Sequence, residues 1–169
     1  MGYSALLPEL RRESSLMTQP WQLYSAAGST KQFMADVRQA VTDMDYWRYI
    51  ADNGADAFTH DGSGGGWVSD PTAARAVYLA DNDGRVRANA RKHVARCERV
   101  IGAGLELIAH VREGLGEIYA DALDAHYIDG MSLRIIAEDS DVTKAAIQQR
   151  IDVACDWADS QPLKRLFDL

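Results

Sequence analysis

The stretch from Arg85 to Glu113 holds no proline and carries apolar side chains at helical spacing throughout. At about 1.5 Å per residue, this predicts one helix on the order of 43 Å long, more than a small domain can hide. Its apolar side includes Val86, Ala90, Val94, Cys97, Val100, Ile101, Leu105, Leu107, Ile108 and Val111. That stripe is broader than a two-position heptad seam, so the helix must pack against more than one neighbour. Val86, His93, Val100 and Leu107 recur at sevens, with Ala90, Cys97, Gly104 and Val111 four residues later. The alternation of large and small positions suits either internal core or the seam of a dimer, and a homo-oligomer, a dimer first, is expected. His93 on that seam reads as a tolerated polar core residue.

Other segments follow the same helical rule. Leu6 to Leu16 is a short helical candidate stopped by the Gln19-Pro20 step, an arm or docking helix. After Gly28, Ser29 and Thr30 offer caps for a helix whose Phe33, Val37, Ala40, Val41, Met44, Trp47 and Ile50 fall on one side. Asn53 to Ser69 is rich in glycine, including Gly64-Gly65-Gly66, and reads as a loop or linker. Asp70 can cap, and Pro71 can open, a helix running to about Ala80; Asn82-Asp83-Gly84 then marks a turn or kink. No alternating strand pattern is present. The expected fold is all-α, a helical bundle with a long central helix. Its expected divisions are an arm, amphipathic helix and loop over 1–68, a long helical or dimerisation region over 69–115, and a small head over 116–169.

Charge restricts what the chain can touch. The formal net charge of −7 argues against a protein that coats nucleic acid indiscriminately, because phosphate binding rests on lysine and arginine. From Glu117 onward there are 11 acids against 5 bases, whereas Arg85 to Arg99 holds six bases and only one acid, Glu98. Arg85, Lys92, Arg96 and Arg99 fall within roughly 60° around the helix axis, away from the apolar stripe. They are either a phosphate- or partner-contacting ridge or a solvated face. Cys97 and Cys155 have neither CxxC nor zinc-knuckle spacing and read as buried free thiols of a reducing cytosol. No run approaches the ~18 apolar residues of a membrane span, so a cytoplasmic protein without a membrane partner is expected.

The head carries the informative pattern, LDAHYIDGMSLRIIAEDSDVTKAAIQQRIDVACDWA from Leu123 to Ala158. Leu123, Tyr127 and Ile128 end a helix that Asp129-Gly130 terminates. Ser132 caps a short helix with Ile136 and Ala137 inward. A turn at Ser140-Asp141-Val142 leads to Thr143, the cap of a second helix whose inward positions are Ile147, Ile151, Ala154 and Ala158. Two short helices braced by a few apolar contacts make a helix-turn-helix, with the second helix free to enter a major groove.

The order tyrosine, apolar, x, glycine, x, serine, then Ile-Ala, then an apolar residue with threonine opening a helix resembles sigma factor region 4. Combined with Ser69-Asp70-Pro71-Thr72-Ala73 upstream, the chain resembles phage regulators of the RinA/ArpU type. The resemblance implies a transcription regulator of phage or prophage genes, an activator of late genes, that binds double-stranded DNA. It places the recognition helix on Thr143 to Ala154. Ala145, Gln148, Gln149 and Asp152 then face outward, with Lys144 and Arg150 on the flanks. Glutamine can pair bidentately with adenine, making Gln148 and Gln149 the expected base readers. Lys144 and Arg134 are the expected phosphate contacts, aided by free N–H groups at the helix starts, Thr143 among them. The chain departs from the sigma pattern at Ile135, where glutamate is usual, and at Ser140 and Asp141, where leucine and glycine are usual. Aspartate tolerates the left-handed backbone that the turn needs.

Three other roles stand beside this one. The head could dock on RNA polymerase or another regulator without reading bases, a reading supported by its acidity, or serve packaging initiation on a larger assembly. An enzyme is not expected: His60-Asp61 lies beside the glycine run, but no phosphate-loop or nucleophile-elbow pattern is present. Neither a cofactor nor a metal site built from His60, His93, His110 and His126 is expected.

Overall fold

The computed structural model describes residues 19–54 and 81–167 of the chain. The Leu6 to Leu16 segment, most of the glycine-rich stretch with His60-Asp61, the Ser69 to Ala73 motif and the expected helix from Pro71 lie outside the described residues. Elsewhere the helices are α1 (Pro20–Ala27), α2 (Thr30–Asn53), α3 (Asp83–Gly114), α4 (Glu117–Leu123), a π-turn (Asp124–Ile128), α5 (Leu133–Asp139), α6 (Lys144–Asp159) and α7 (Leu163–Leu166). No strand occurs among the described residues, and the fold is all-α with a long helix, α3, as expected. No described helix is long and apolar enough to cross a membrane.

The chain divides into two compact units, Met1–Val41 with Glu98–Leu169 and Thr42–Cys97. The borders fall inside α2 and α3, so each long helix contributes to both units. Among the described residues the larger core lies in unit 1 and gathers Phe33, Met34 and Val37 from α2, Leu107 and Val111 from α3, and Ile147 and Ile151 from α6. Gly104 on α3 permits close approach: a Cβ there would stand 2.7 Å from a methyl of Val37. Leu107 and Val111 are likewise buried within the chain. These positions of the expected dimer seam are therefore taken up by internal packing.

One carboxylate ties the start of α2 to the end of α6. Asp159 Oδ1 accepts from the Thr30 N–H (2.7 Å), the Thr30 hydroxyl (2.6 Å) and the Tyr24 hydroxyl (3.0 Å). It satisfies a free donor of the first turn and places negative charge at the positive helix end. Ser29 Oγ accepts from Gln32 N–H at 3.2 Å and acts as the side-chain cap. Burial, joined by the Asp159 charge and opposed by the hydrogen bond with Thr30, pushes the Tyr24 hydroxyl up to about 12. Cys155 is buried nearby, and loss of solvent pushes its thiol up to about 12; it is an inert core thiol.

The described part of unit 2 closes around Ile50, Ala51 and Ala90, with Trp47 and Val86 packed against them. His93 stacks on Trp47 with ring centroids 4.0 Å apart and an 11° interplanar angle. Arg87 bonds Asp83 at 2.7 Å and reaches the carbonyls of Ala51 and Asp52, filling acceptors that the end of α2 leaves open. Asn82-Asp83-Gly84 is less of a turn than the residue types suggest. Only Asn82 leaves the helix; its carbonyl accepts from Arg85 and Val86, and Asp83 opens α3.

Candidate nucleic-acid interface

The segment from Asp124 to Asp159 is organised by four backbone devices. First, α4 widens into the π-turn, with Asp129 N–H donating to the Asp124 carbonyl at 3.1 Å. Gly130, at φ +69°, then reverses the chain. Second, Ser132 Oγ accepts from the Ile135 N–H at 3.3 Å and starts α5. Third, α5 ends in a Schellman arrangement: Val142 N–H donates to Ala137 (3.0 Å) and Asp141 N–H to Glu138 (3.4 Å). Asp141 takes the left-handed position at φ +51°, as the turn requires. Fourth, Thr143 Oγ1 accepts from the Ala146 N–H at 3.1 Å and starts α6.

Those devices leave the inward positions where periodicity puts them. Ile136, Ala137, Ile147, Ile151, Ala154 and Ala158 are all buried. α6 packs on both α4 and α5. Its opposite face is open, with Lys144, Ala145, Gln149, Val153 and Asp156 exposed.

The expected site residues separate into groups. Thr143, Lys144, Ala145 and Gln149 share the exposed amino-terminal half of α6. Gln148 is half-buried on the flank and donates through Nε2 to Asp152 Oδ1 at 3.0 Å. Arg150 is half-buried on the opposite flank, where it lines a cleft of about 420 Å³ with Ile118, Asp121, Ala122, Ile136 and Asp139. It stands apart from the two glutamines. Arg134 is exposed on α5 and paired with Glu138 at 2.8 Å. Arg85, Lys92, Arg96 and Arg99 are exposed along one face of α3, without an ion-pair partner among the described residues.

Periodicity did not disclose Lys31. This lysine, in the first turn of α2, sets its ammonium 2.9 Å from Asp152 Oδ1 and so stands beside α6. The hydrogen bond from Lys31 holds the Asp152 carboxyl below the usual carboxylate range, and the same bond raises the lysine. Asp152 is therefore a neutralised anion, not a bare repelling charge. A second tie, from Arg38 on α2, reaches His126 Nε2 (3.2 Å) and the Gly130 carbonyl (3.3 Å), while His126 Nδ1 meets the Met131 carbonyl at 3.0 Å. The loop that enters α5 is thus braced from outside the head. Among the described residues no group of histidine, cysteine and carboxylate side chains is arranged to hold a metal.

Known protein families, curated proteins and solved structures give no match to this chain.

Proposed function

We propose that the chain is a sequence-specific DNA-binding transcription regulator of phage or prophage genes, with α6 as its recognition helix and late-gene activation as its output. The observation that carries the reading is the exposed amino-terminal half of α6. Its lysine and glutamine project from a helix whose other side is fixed by Ile147 and Ile151. Helix-turn-helix proteins put that part of the second helix against base edges. Gln149 is the more open reader, Lys144 the phosphate contact, and the exposed bases of α3 are a separate surface for phosphate. The phage assignment and the activator role rest on the sequence resemblance. A dimer on paired half-sites is part of the same reading, through a surface other than the buried positions of α3.

Binding of labelled duplexes from the gene's own neighbourhood, against scrambled duplexes over a salt series, tests it. Specific binding is expected; equal affinity for both sets would overturn the reading. Gln149→Ala should relax base preference, whereas Lys144→Ala should weaken all sequences alike and reduce the salt slope by about one.

A second reading has its own support. Ile135 and Val153 are large apolar residues 46% and 37% exposed, and Asp139, Asp141 and Asp156 are exposed in the same segment. Such a surface suits docking on RNA polymerase or another regulator without base readout. Polymerase capture that survives Gln149→Ala, with no specific DNA binding, would favour it.

A further inference from the structure

The Lys31, Asp152 and Gln148 side chains form a chain of polar contacts between the first turn of α2 and the half-buried flank of α6. Asp152 Oδ1 receives both the Lys31 ammonium at 2.9 Å and the Gln148 carboxamide nitrogen at 3.0 Å. A carboxamide nitrogen has two hydrogens, and the oxygen has two lone pairs. Spending one hydrogen on Asp152 leaves the other hydrogen and the oxygen free, which is the donor and acceptor pair that adenine N7 and N6 require. A carboxylate accepts only, so it also decides which way round the amide sits: nitrogen toward Asp152, oxygen away. Lys31 holds the carboxylate in place from outside the helix that carries Gln148.

We infer that Asp152, anchored by Lys31, is a positioning residue that presets the Gln148 carboxamide for adenine. This rests on the DNA-reading proposal above and deepens it. A glutamine and an aspartate four apart on a helix also bond merely as a surface staple. A staple, however, would affect stability and leave base choice alone. Deleting a carboxylate beside DNA strengthens attraction to every sequence under either reading, so the loss of base choice is what separates them.

The test is selection of preferred duplexes from a random pool by the full chain, followed by affinity for the preferred site and for the same site with each adenine replaced by guanine. Asp152→Ala should lower discrimination about tenfold at the one position where Gln148→Ala lowers it, while binding to scrambled DNA stays equal or tightens. The double variant should be no worse than Gln148→Ala alone, and Asp152→Asn, which keeps an acceptor for the amide, should retain most of the discrimination. Lys31→Met should lower discrimination at that same position. Full discrimination in folded Asp152→Ala, or additive losses in the double variant, would overturn the inference while leaving the DNA-reading proposal intact. A wild-type chain that selects no sequence removes both. If Asp152→Ala does not fold, Asp152→Asn and Lys31→Met decide: unchanged preference in Lys31→Met together with lost preference in Asp152→Asn overturns the anchoring.

Discussion

The two units share α2 and α3, yet they use them for different ends. Unit 1 turns its stretch of α3 inward, with Ala103, Leu107, Ile108 and Val111 all buried. Unit 2 buries Ala90 and Cys97 from its stretch, while Arg85, Arg91, Lys92 and Arg96 stand exposed. On α2 the contrast repeats: Phe33, Met34 and Val37 are core, whereas Tyr46 and Tyr49 are 55% and 45% exposed. A continuous helix is thus a core former at one end and a charged surface at the other. Helical periodicity sets which side of a helix is apolar, and the neighbours decide how much of that side is covered.

The largest expected effect tests where stability resides. Phe33→Ala in unit 1 should cost about 3 to 5 kcal/mol, the range for emptying an aromatic site in a closed core. Ile50→Ala, whose described neighbours are the few residues around Ala51 and Ala90, should cost about 2 kcal/mol. Urea unfolding followed by circular dichroism measures both. A cost for Ile50→Ala equal to that of Phe33→Ala would break the comparison.

Next in size is the polar tie of unit 1. Asp159→Ala strands the Thr30 N–H, on a residue with no exposed surface, leaves the Thr30 hydroxyl only Tyr24 as partner, and should cost about 1 to 3 kcal/mol. The same cluster gives unit 1 an alkaline weakness. The Tyr24 hydroxyl has its folded value raised to about 12, so its stabilisation is whole below pH ~10 and fades as pH rises through 12. Unfolding free energy measured from pH 9 to 12 should fall for the wild-type chain. Tyr24→Phe should flatten that fall; an unchanged slope would move the alkaline weakness elsewhere.

These ties also mark where sequence reading stops. Ser132, Gly130, Asp141 and Thr143 are legible because caps and reversals are local, each satisfied within a few residues of itself. The inward positions of α6 are legible for the same reason, through a period of 3.6. Lys31 with Asp152, and Thr30 with Asp159, are more than a hundred residues apart in sequence, and no local pattern announces such pairs. The π-turn has no sequence signal, because nothing in Asp124 to Ile128 breaks helical spacing. The spacing of α3 alone puts His93 in a seam, whereas its flat stacking on Trp47 depends on a second helix.

Two glycines on α3, one in each unit, sharpen the comparison at lower cost. Gly104→Ala forces a methyl against Val37 in the unit 1 core and should destabilise by about 1 to 3 kcal/mol. Gly84 is exposed, and a Cβ there meets nothing within 4 Å, so Gly84→Ala should stabilise by about 0.5 to 1 kcal/mol through helix propensity alone. Opposite signs are the expected result from thermal melts; a loss in both would mean that the surface around Gly84 is less open than its exposure indicates.

The smallest expected effect separates geometry from charge in the turn that presents α6. Asp141 sits at φ +51°, a conformation that glycine adopts freely and aspartate at some cost. Asp141→Gly removes both the strain and a carboxylate, and should add about 0.5 kcal/mol of stability. Asp141→Asn keeps the left-handed tolerance and removes only the charge. If α6 meets phosphate, both variants should tighten binding to all DNA sequences to a similar degree, while only the glycine variant gains stability. Tighter binding in the glycine variant alone would assign the effect to turn geometry. Unchanged DNA binding in both, with the stability gain intact, would favour the docking reading, because that carboxylate would then lie away from any phosphate.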